Sequence, residues 1–132
     1  MLDHISVPVS DFPRAAAFYD AVLTTLGYRR MKERDGAIGY GHMGDGHPPV
    51  FWILHRQKDS AIPGIGLHIS FRAKDREAVH NFHSTALAKG GKDAGVPGPR
   101  PQYTAGFYGA FVFDLDGYKI EAVVREALPQ SS

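Results

Sequence analysis

Residues 3–27 read DHISVPVSDFPRAAAFYDAVLTTLG, and residues 67–91 read LHISFRAKDREAVHNFHSTALAKGG. The two stretches align with a shift of 64 residues, which carries His4 onto His68. The other identical pairs include Ile5 with Ile69, Ser6 with Ser70, Asp11 with Asp75, Phe18 with Phe82 and Gly27 with Gly91. Self-similarity of this kind indicates a duplicated structural unit. Each copy carries a histidine at the same point, so we look for function in a site that both copies form.

Each copy has the pattern of a strand followed by a helix. Apolar and polar side chains alternate along residues 2–9, which predicts a strand. Residues 12–26 change to a helical spacing of apolar side chains, which predicts a helix. The second copy repeats this plan. In both strands the histidine lies opposite the main apolar set, which is Ile5, Val7 and Val9 in the first copy and Leu67, Ile69 and Phe71 in the second.

Short strands are predicted after each helix. They cover about 28–34, 37–42 and 49–55 in the first half, and about 91–95, 107–114 and 118–124 in the second. Asp35-Gly36 and Asp116-Gly117 predict tight turns. Each half is therefore a βαβββ module, and the chain is predicted to be one α+β domain over residues 1–132. The modules cover about 1–56 and 66–126, joined by a linker at about 57–65.

One segment of the second half is predicted to be irregular. Residues 95–101 read GVPGPRP, and this density of proline and glycine predicts a long loop rather than a strand. The loop leads through residues 102–106 into a predicted strand. Because long loops in compact domains are usually functional or disordered, we expect residues 95–106 to border the site and to govern its selectivity.

Composition excludes several classes of function. The chain has 132 residues, enough for one core, and no cysteine, so disulfides and thiolate chemistry are excluded. Its net charge of +1 gives no basic nucleic-acid surface. No apolar run approaches the roughly 20 residues of a membrane helix. Asp3 and His4 lie where a signal peptide would have basic residues. We therefore expect a cytoplasmic protein with neither a nucleic-acid nor a membrane partner.

His4, His68 and Glu121 share one property. In the last predicted strand Ile120 and Ala122 share a face, and Glu121 lies on the other. If the helices cover the apolar faces, all three side chains point into the concave side of the sheets. Two imidazoles and one carboxylate are a common ligand set for a divalent metal with open coordination positions. The alternatives are structural histidines copied by the duplication and a solvated glutamate.

Other side chains offer weaker candidates. His80 and His83 lie three residues apart on the second helix, where they could bind a metal as a pair, although exposure to solvent is the preferred reading. Trp52, Tyr103 and Tyr108 are aromatic residues near the expected concavity and could line an apolar pocket. Ordinary packing in the core and between strands is the alternative for all three.

The same residues carry a resemblance to a known family. The opening LDHISVPVSDFPRAAAFYDAVL, the later GLHISF, and FYGAFVFDLDGYKIEAV near the end are together similar to motifs of the vicinal oxygen chelate superfamily. Its last motif usually reads close to F-x-D-P-D-G-x-x-I-E. The resemblance implies two βαβββ modules forming a curved, barrel-like mixed sheet with helices outside. It also implies one divalent metal ion (Zn, Ni, Mn or Fe) on His4, His68 and Glu121, bound within one chain or across a homodimer.

Departures from the family narrow the expected activity. Glyoxalase I has a further glutamate in the last strand of its first module, but here PVFWILH places Phe51 or Trp52 there, which counts against a lactoylglutathione lyase. Extradiol dioxygenases use an acid–base histidine, yet none follows His83; Tyr108 could stand for their tyrosine. Fosfomycin-type thiol transferases use a basic cluster, for which only Arg100 and Lys119 are obvious.

The interpretation from sequence is a small metal-dependent lyase, transferase or dioxygenase of the glyoxalase-like branch. It would act on a small oxygen-bearing molecule that chelates the metal held by His4, His68 and Glu121, with Trp52 and the two tyrosines at 103 and 108 shaping the pocket. No catalytic residue is assigned. The alternative is a non-catalytic small-molecule-binding protein of the bleomycin-resistance type, although those proteins lack the metal ligands that this chain keeps.

Overall fold

The duplicated plan is present in the structure, a computed structural model that describes residues 2–44, 46–56 and 66–127. The elements in chain order are β1 (Ile5–Val9), α1 (Phe12–Thr24), β2 (Arg29–Arg34), β3 (Ala37–Gly41), β4 (Phe51–His55), β5 (His68–Arg72), α2 (Arg76–Ala88), β6 (Lys92–Pro99), β7 (Phe107–Phe113) and β8 (Lys119–Arg125). The two βαβββ modules and the α+β class are therefore confirmed. The predicted linker at 57–65 lies outside the described residues.

Both modules have the same sheet topology. The strand order is β1-β4-β3-β2 in the first sheet and β5-β8-β7-β6 in the second. In each sheet the first strand pairs in parallel with the last, and the other pairs are antiparallel. The expected barrel-like mixed sheet consists, among the described residues, of two four-stranded mixed sheets that do not close into one barrel.

The two helices are built alike and share one core. Each begins after an aspartate whose side chain accepts a backbone N–H of the first turn, from Arg14 at Asp11 and from Ala78 at Asp75. Such a cap stabilises a helix by about 1 kcal/mol. Apolar side chains of both helices and of both sheets form one buried cluster, and the helices also contact each other. Each sheet thus turns one face to this shared core and leaves the opposite face, here called its outer face, away from it.

Polar contacts also fix the two modules to each other. The Tyr19 hydroxyl on α1 donates a hydrogen bond to buried Asp114, whose other oxygen accepts the backbone N–H groups of Asp116 and Tyr118. Burial raises the pKa of Asp114 above its usual value, against the opposing effect of these hydrogen bonds. The Tyr118 hydroxyl donates to the Pro8 carbonyl at 2.8 Å. The turn after β7 is therefore anchored in the first module, so the outer faces have fixed positions.

The prediction of a loop at residues 95–101 is largely wrong. β6 runs through Lys92–Pro99 and pairs with β7, with shifts of register between Asp93 and Gly95 and between Gly95 and Gly98. β6 is an edge strand, where a proline without an N–H costs no ladder hydrogen bond on its open side, and bulges accommodate the glycines. The part that lacks strand structure begins at Arg100.

No helix in the described part of the chain is long and apolar enough to cross a membrane.

Candidate metal centre

His68 and Glu121 meet on the outer face of the second sheet. Ile120 and Ala122 are fully buried in the shared core, so Glu121 between them projects to the other side. β5 pairs in parallel with β8, which brings His68 Nε2 to 3.2 Å from Glu121 Oε1. The imidazole is 49% exposed, whereas the carboxylate is 5% exposed. Two of the three predicted ligands are therefore adjacent, and the anionic one is buried.

The second oxygen of the Glu121 carboxylate has no partner. Oε2 is buried and accepts no hydrogen bond from any described group. A buried carboxylate with an unsatisfied oxygen is costly, and a cation is one of the few groups that would offset the cost. Nitrogen and oxygen ligands at 2.0–2.1 Å from a tetrahedral zinc ion would lie about 3.3 Å apart, close to the distance between the His68 and Glu121 donor atoms. His68 and Glu121 therefore fit two of the ligand positions of a divalent metal ion.

A cavity of about 380 Å³ opens beside this pair. Its apolar wall consists of Phe107 and Phe111 on β7 and of Tyr103, whose ring lies 5.3 Å from that of Phe107. Tyr103 is 57% exposed, as expected of a residue at the mouth of a cavity. Ser70 lines the polar side next to Glu121. Of residues 95–106, which were expected to border the site, Tyr103 lines this cavity.

His4 lies in a different cavity, on the outer face of the first sheet. This cavity has a volume of about 250 Å³ and also includes Ser6 and Trp52. Asp3 Oδ1 lies 2.6 Å from His4 Nδ1, and this hydrogen bond lowers the pKa of Asp3. The contact uses Nδ1 and leaves His4 Nε2 as the ring nitrogen without a partner among the described residues. Within the described residues of one chain, no three histidine or acidic side chains lie close enough to share a metal ion.

The strand register identifies the counterpart of Glu121 in the first sheet, the position expected to hold the further glutamate of glyoxalase I. Ser70 lies opposite Glu121 in the second sheet, and its counterpart Ser6 lies opposite Trp52 in the first. Trp52 is therefore the equivalent of Glu121, while its neighbour Phe51 is buried in the shared core. The first sheet presents an indole, covered by the Arg34 guanidinium at 4.9 Å, where the second presents a carboxylate.

Tyr108 lies on the core side of β7 and not in the cavity. It is 7% exposed, its hydroxyl is 2.7 Å from His80 Nε2, and the Arg76 guanidinium lies 4.2 Å above its ring. Because side chains alternate along a strand, Phe107 and Phe111 take the outer face and Tyr108 takes the other. The structure thus corrects the expectation that Tyr108 shapes the pocket or replaces the dioxygenase tyrosine.

His80 and His83 do not form a pair. His80 is exposed, as preferred from the sequence, but His83 is only 8% exposed, so the preference was wrong for it. His83 Nε2 lies 2.8 Å from Asp93 Oδ1 on β6, because this side of α2 packs over that strand. The hydrogen bond from His83 lowers the pKa of Asp93.

Three basic residues near the two cavities were missed from the sequence. Arg125 lines the cavity of Glu121 together with Lys119, and Lys32 and Arg34 line the cavity of His4. A signal for Arg125 was present, since it lies at the even spacing along β8 that puts Lys119 and Glu121 on one face. Lys32 and Arg34 also alternate along β2, but nothing local showed that β2 borders a cavity.

Comparisons with known proteins agree with this architecture. The sequence profile of the Glyoxalase/Bleomycin resistance protein/Dioxygenase superfamily matches residues 1–122. A solved glyoxalase/bleomycin resistance protein from Albidiferax ferrireducens T118 is 30% identical, with a TM-score of 0.80, and the match covers 92% of this chain and 96% of that one. The comparison with curated proteins found no significant match.

Two more distant structures share the fold. One is an E144Q mutant of glyoxalase I from Zea mays, 19% identical with a TM-score of 0.70, for which the match covers 91% of this chain and 45% of that chain. The other is an E126Q mutant of the fosfomycin resistance protein FosX from Listeria monocytogenes, complexed with Mn(II) and 1S,2S-dihydroxypropylphosphonic acid. It is 19% identical with a TM-score of 0.66, and the match covers 92% of this chain and 87% of that one.

Proposed function

The chain belongs to the Glyoxalase/Bleomycin resistance protein/Dioxygenase superfamily, and we propose that it is a metal-dependent enzyme acting on a small oxygen-bearing substrate that chelates the ion. The observation that carries this proposal is the buried Glu121 carboxylate, which has His68 beside it and an unpaired second oxygen. An apolar residue at this position would cost less in a protein that bound no cation. A Mn(II) complex of a structural neighbour, FosX, adds support by analogy.

Residues on the outer face of the second sheet have two roles, to hold the ion and to bind the substrate. His68 and Glu121 hold the divalent ion, which when bound would polarise an oxygen of the substrate. Phe107, Phe111 and Tyr103 exclude water from the apolar part of the substrate and orient it toward the ion. Zinc, nickel, manganese and iron all suit two imidazoles and a carboxylate.

We place His4 of the partner subunit as the third ligand. His4 and His68 occupy equivalent positions of the duplicated sheets, but within one chain they line separate cavities on different outer faces. A second copy can bring its first outer face against the second outer face of this chain, and twofold symmetry then forms two equal sites. The Asp3 carboxylate fixes the His4 ring so that Nε2 is free for the ion.

Mixed dimers test this arrangement. H4A and E121Q should each bind Mn²⁺ weakly, because every site of either homodimer lacks a ligand. In an equimolar mixture that is refolded together, half of the dimers combine both chains, and each of these has one intact site. Calorimetric titration is expected to recover about a quarter of the wild-type sites.

A matched mixture serves as the control. E121Q refolded with H68A should recover no sites, because both ligands come from the same module. Failure of the H4A and E121Q mixture to exceed its separate components would exclude a site shared between chains. Wild-type affinity in H4A alone would exclude His4 as a ligand.

The aromatic wall of the cavity favours one alternative function. A non-catalytic protein that sequesters a small aromatic compound would use Tyr103, Phe107 and Phe111 in the same way. Elemental analysis of protein purified without an affinity tag separates the two functions. About one equivalent of a transition metal per chain supports the enzyme, and its absence after growth in metal-supplemented medium supports the binding protein.

A further inference from the structure

Two cationic side chains flank the Glu121 carboxylate on its own strand. Lys119 and Arg125 lie on the outer face of β8 with Glu121, and all three line the same cavity. Alternate residues along a strand are about 7 Å apart, so the Cα atoms of Lys119 and Arg125 lie about 7 Å and about 13 Å from that of Glu121, in opposite directions. A cation thus lies at each end of the cavity that contains the Glu121 and His68 pair.

Neither cation is neutralised by a carboxylate among the described residues. The salt bridges of this part of the chain involve other basic groups, such as Arg30 with Asp20 and Arg76 with Glu126. Lys119 Nζ instead lies 4.9 Å above the Phe111 ring, and the Arg125 guanidinium lies 5.3 Å from the centre of the Phe107 ring. The aromatic wall thus holds two cations at the cavity while leaving their charge uncompensated.

Such cations carry a cost at a metal centre. Positive groups near a divalent ion weaken its binding by repulsion, so a metal site gains nothing from Lys119 and Arg125 unless a third component offsets them. The first outer face has the same character, because Lys32 and Arg34 line its cavity and Asp3 is the one carboxylate among the described residues that line it. An anionic ligand would offset the excess charge of both faces.

We propose that the cavity takes a small organic anion with an apolar or aromatic body. Its carboxylate or phosphonate group binds one of the two cations, Lys119 or Arg125, its body packs on Phe107 and Phe111, and an adjacent oxygen reaches the ion at His68 and Glu121. The last of these contacts rests on the proposed function, and the other two do not. A cavity of about 380 Å³ suits a small molecule and not a polymeric anion.

Charge-neutral variants and paired probes test the proposal. The probes are mandelate and phenylphosphonate, with methyl mandelate as the uncharged counterpart of the first. Wild-type protein is expected to bind at least one anion and to bind the ester at least about 10-fold more weakly. Of K119Q and R125Q, the variant that removes the cation holding the anion should weaken anion binding by about 10-fold, the scale of one charge-assisted hydrogen bond. K92Q, at an exposed lysine of β6, is the control and should bind as wild type.

A second readout separates ligand binding from structural damage. Removing a cation near the ion should leave Mn²⁺ affinity unchanged or increase it, whereas a disturbed fold would lower both affinities. The proposal is overturned if no anion binds the wild type, if the ester binds as tightly as mandelate, or if both variants bind the anion normally.

Titrations of metal-free protein distinguish this inference from the proposed function. Anion binding that depends on Lys119 or Arg125, in a protein that binds no Mn²⁺, would keep the inference and remove the metal-dependent enzyme. Mn²⁺ binding without preference for the anion over its ester would keep the metal-dependent enzyme and remove the inference.

Discussion

Replacing Glu121 with glutamine is expected to lower the Mn²⁺ affinity by at least about 10²-fold, since even residues that only support metal ligands contribute 10–100-fold. Glutamine keeps the size of the side chain but removes the anionic ligand. It also removes a buried charge with an unpaired oxygen, so the melting temperature of the metal-free variant should stay unchanged or rise. Calorimetric titration and thermal unfolding measure the two effects.

E126Q is the matched control for this substitution. Glu126 follows β8, is partly exposed, and pairs with Arg76 at 2.6 Å rather than with His68. Its loss should leave Mn²⁺ affinity unaltered. If E121Q bound Mn²⁺ as tightly as wild type, the contact of Glu121 with His68 would be an ordinary ion pair, and the metal centre would have to be abandoned.

Turnover of methylglyoxal with glutathione is expected to be about 10²–10⁴-fold slower than in an enzyme with two carboxylates at the metal. This is the usual loss of rate when a positioned base is removed. That reaction moves a proton between adjacent carbons. Here Trp52 occupies the register of the second carboxylate, and the Arg34 guanidinium covers its ring. Glu121 alone would have to bind the ion and transfer the proton on both faces of the intermediate.

The assay should be run with zinc, nickel and manganese, with metal-free protein and E121Q as background. Rates indistinguishable from that background agree with the expectation. Turnover in the ordinary enzymatic range of roughly 1–10³ per second would show that another group replaces the missing carboxylate.

Local patterns in the sequence were sufficient for the modules and for the faces of β5 and β8. The duplication and the alternation around His68 and Glu121 predicted which way these side chains point, because strand geometry alone decides it. The position of His4 relative to His68 and Glu121 could not be predicted from local patterns. It depends on how the two modules pack, through long-range contacts such as Phe51 with Phe71 and Tyr19 with Asp114, which no local spacing encodes.

The errors in detail have separate physical causes. β7 reads FYGAFVF and is apolar on both faces, so its periodicity could not tell which side Tyr108 would take. The proline-rich β6 is tolerated because it is an edge strand, a property of the assembled sheet. His83 is buried because its side of α2 packs over β6, where it bonds Asp93, and this tertiary contact leaves no local signal in the sequence.

The most direct test of the metal centre is the anomalous scattering of Mn²⁺ in crystals of the wild-type protein. The account predicts one peak per chain, within coordination distance of His68 Nε2, of both oxygens or one oxygen of Glu121, and of His4 of the partner subunit. A peak found only at other histidines, or none at a saturating concentration of Mn²⁺, would contradict it.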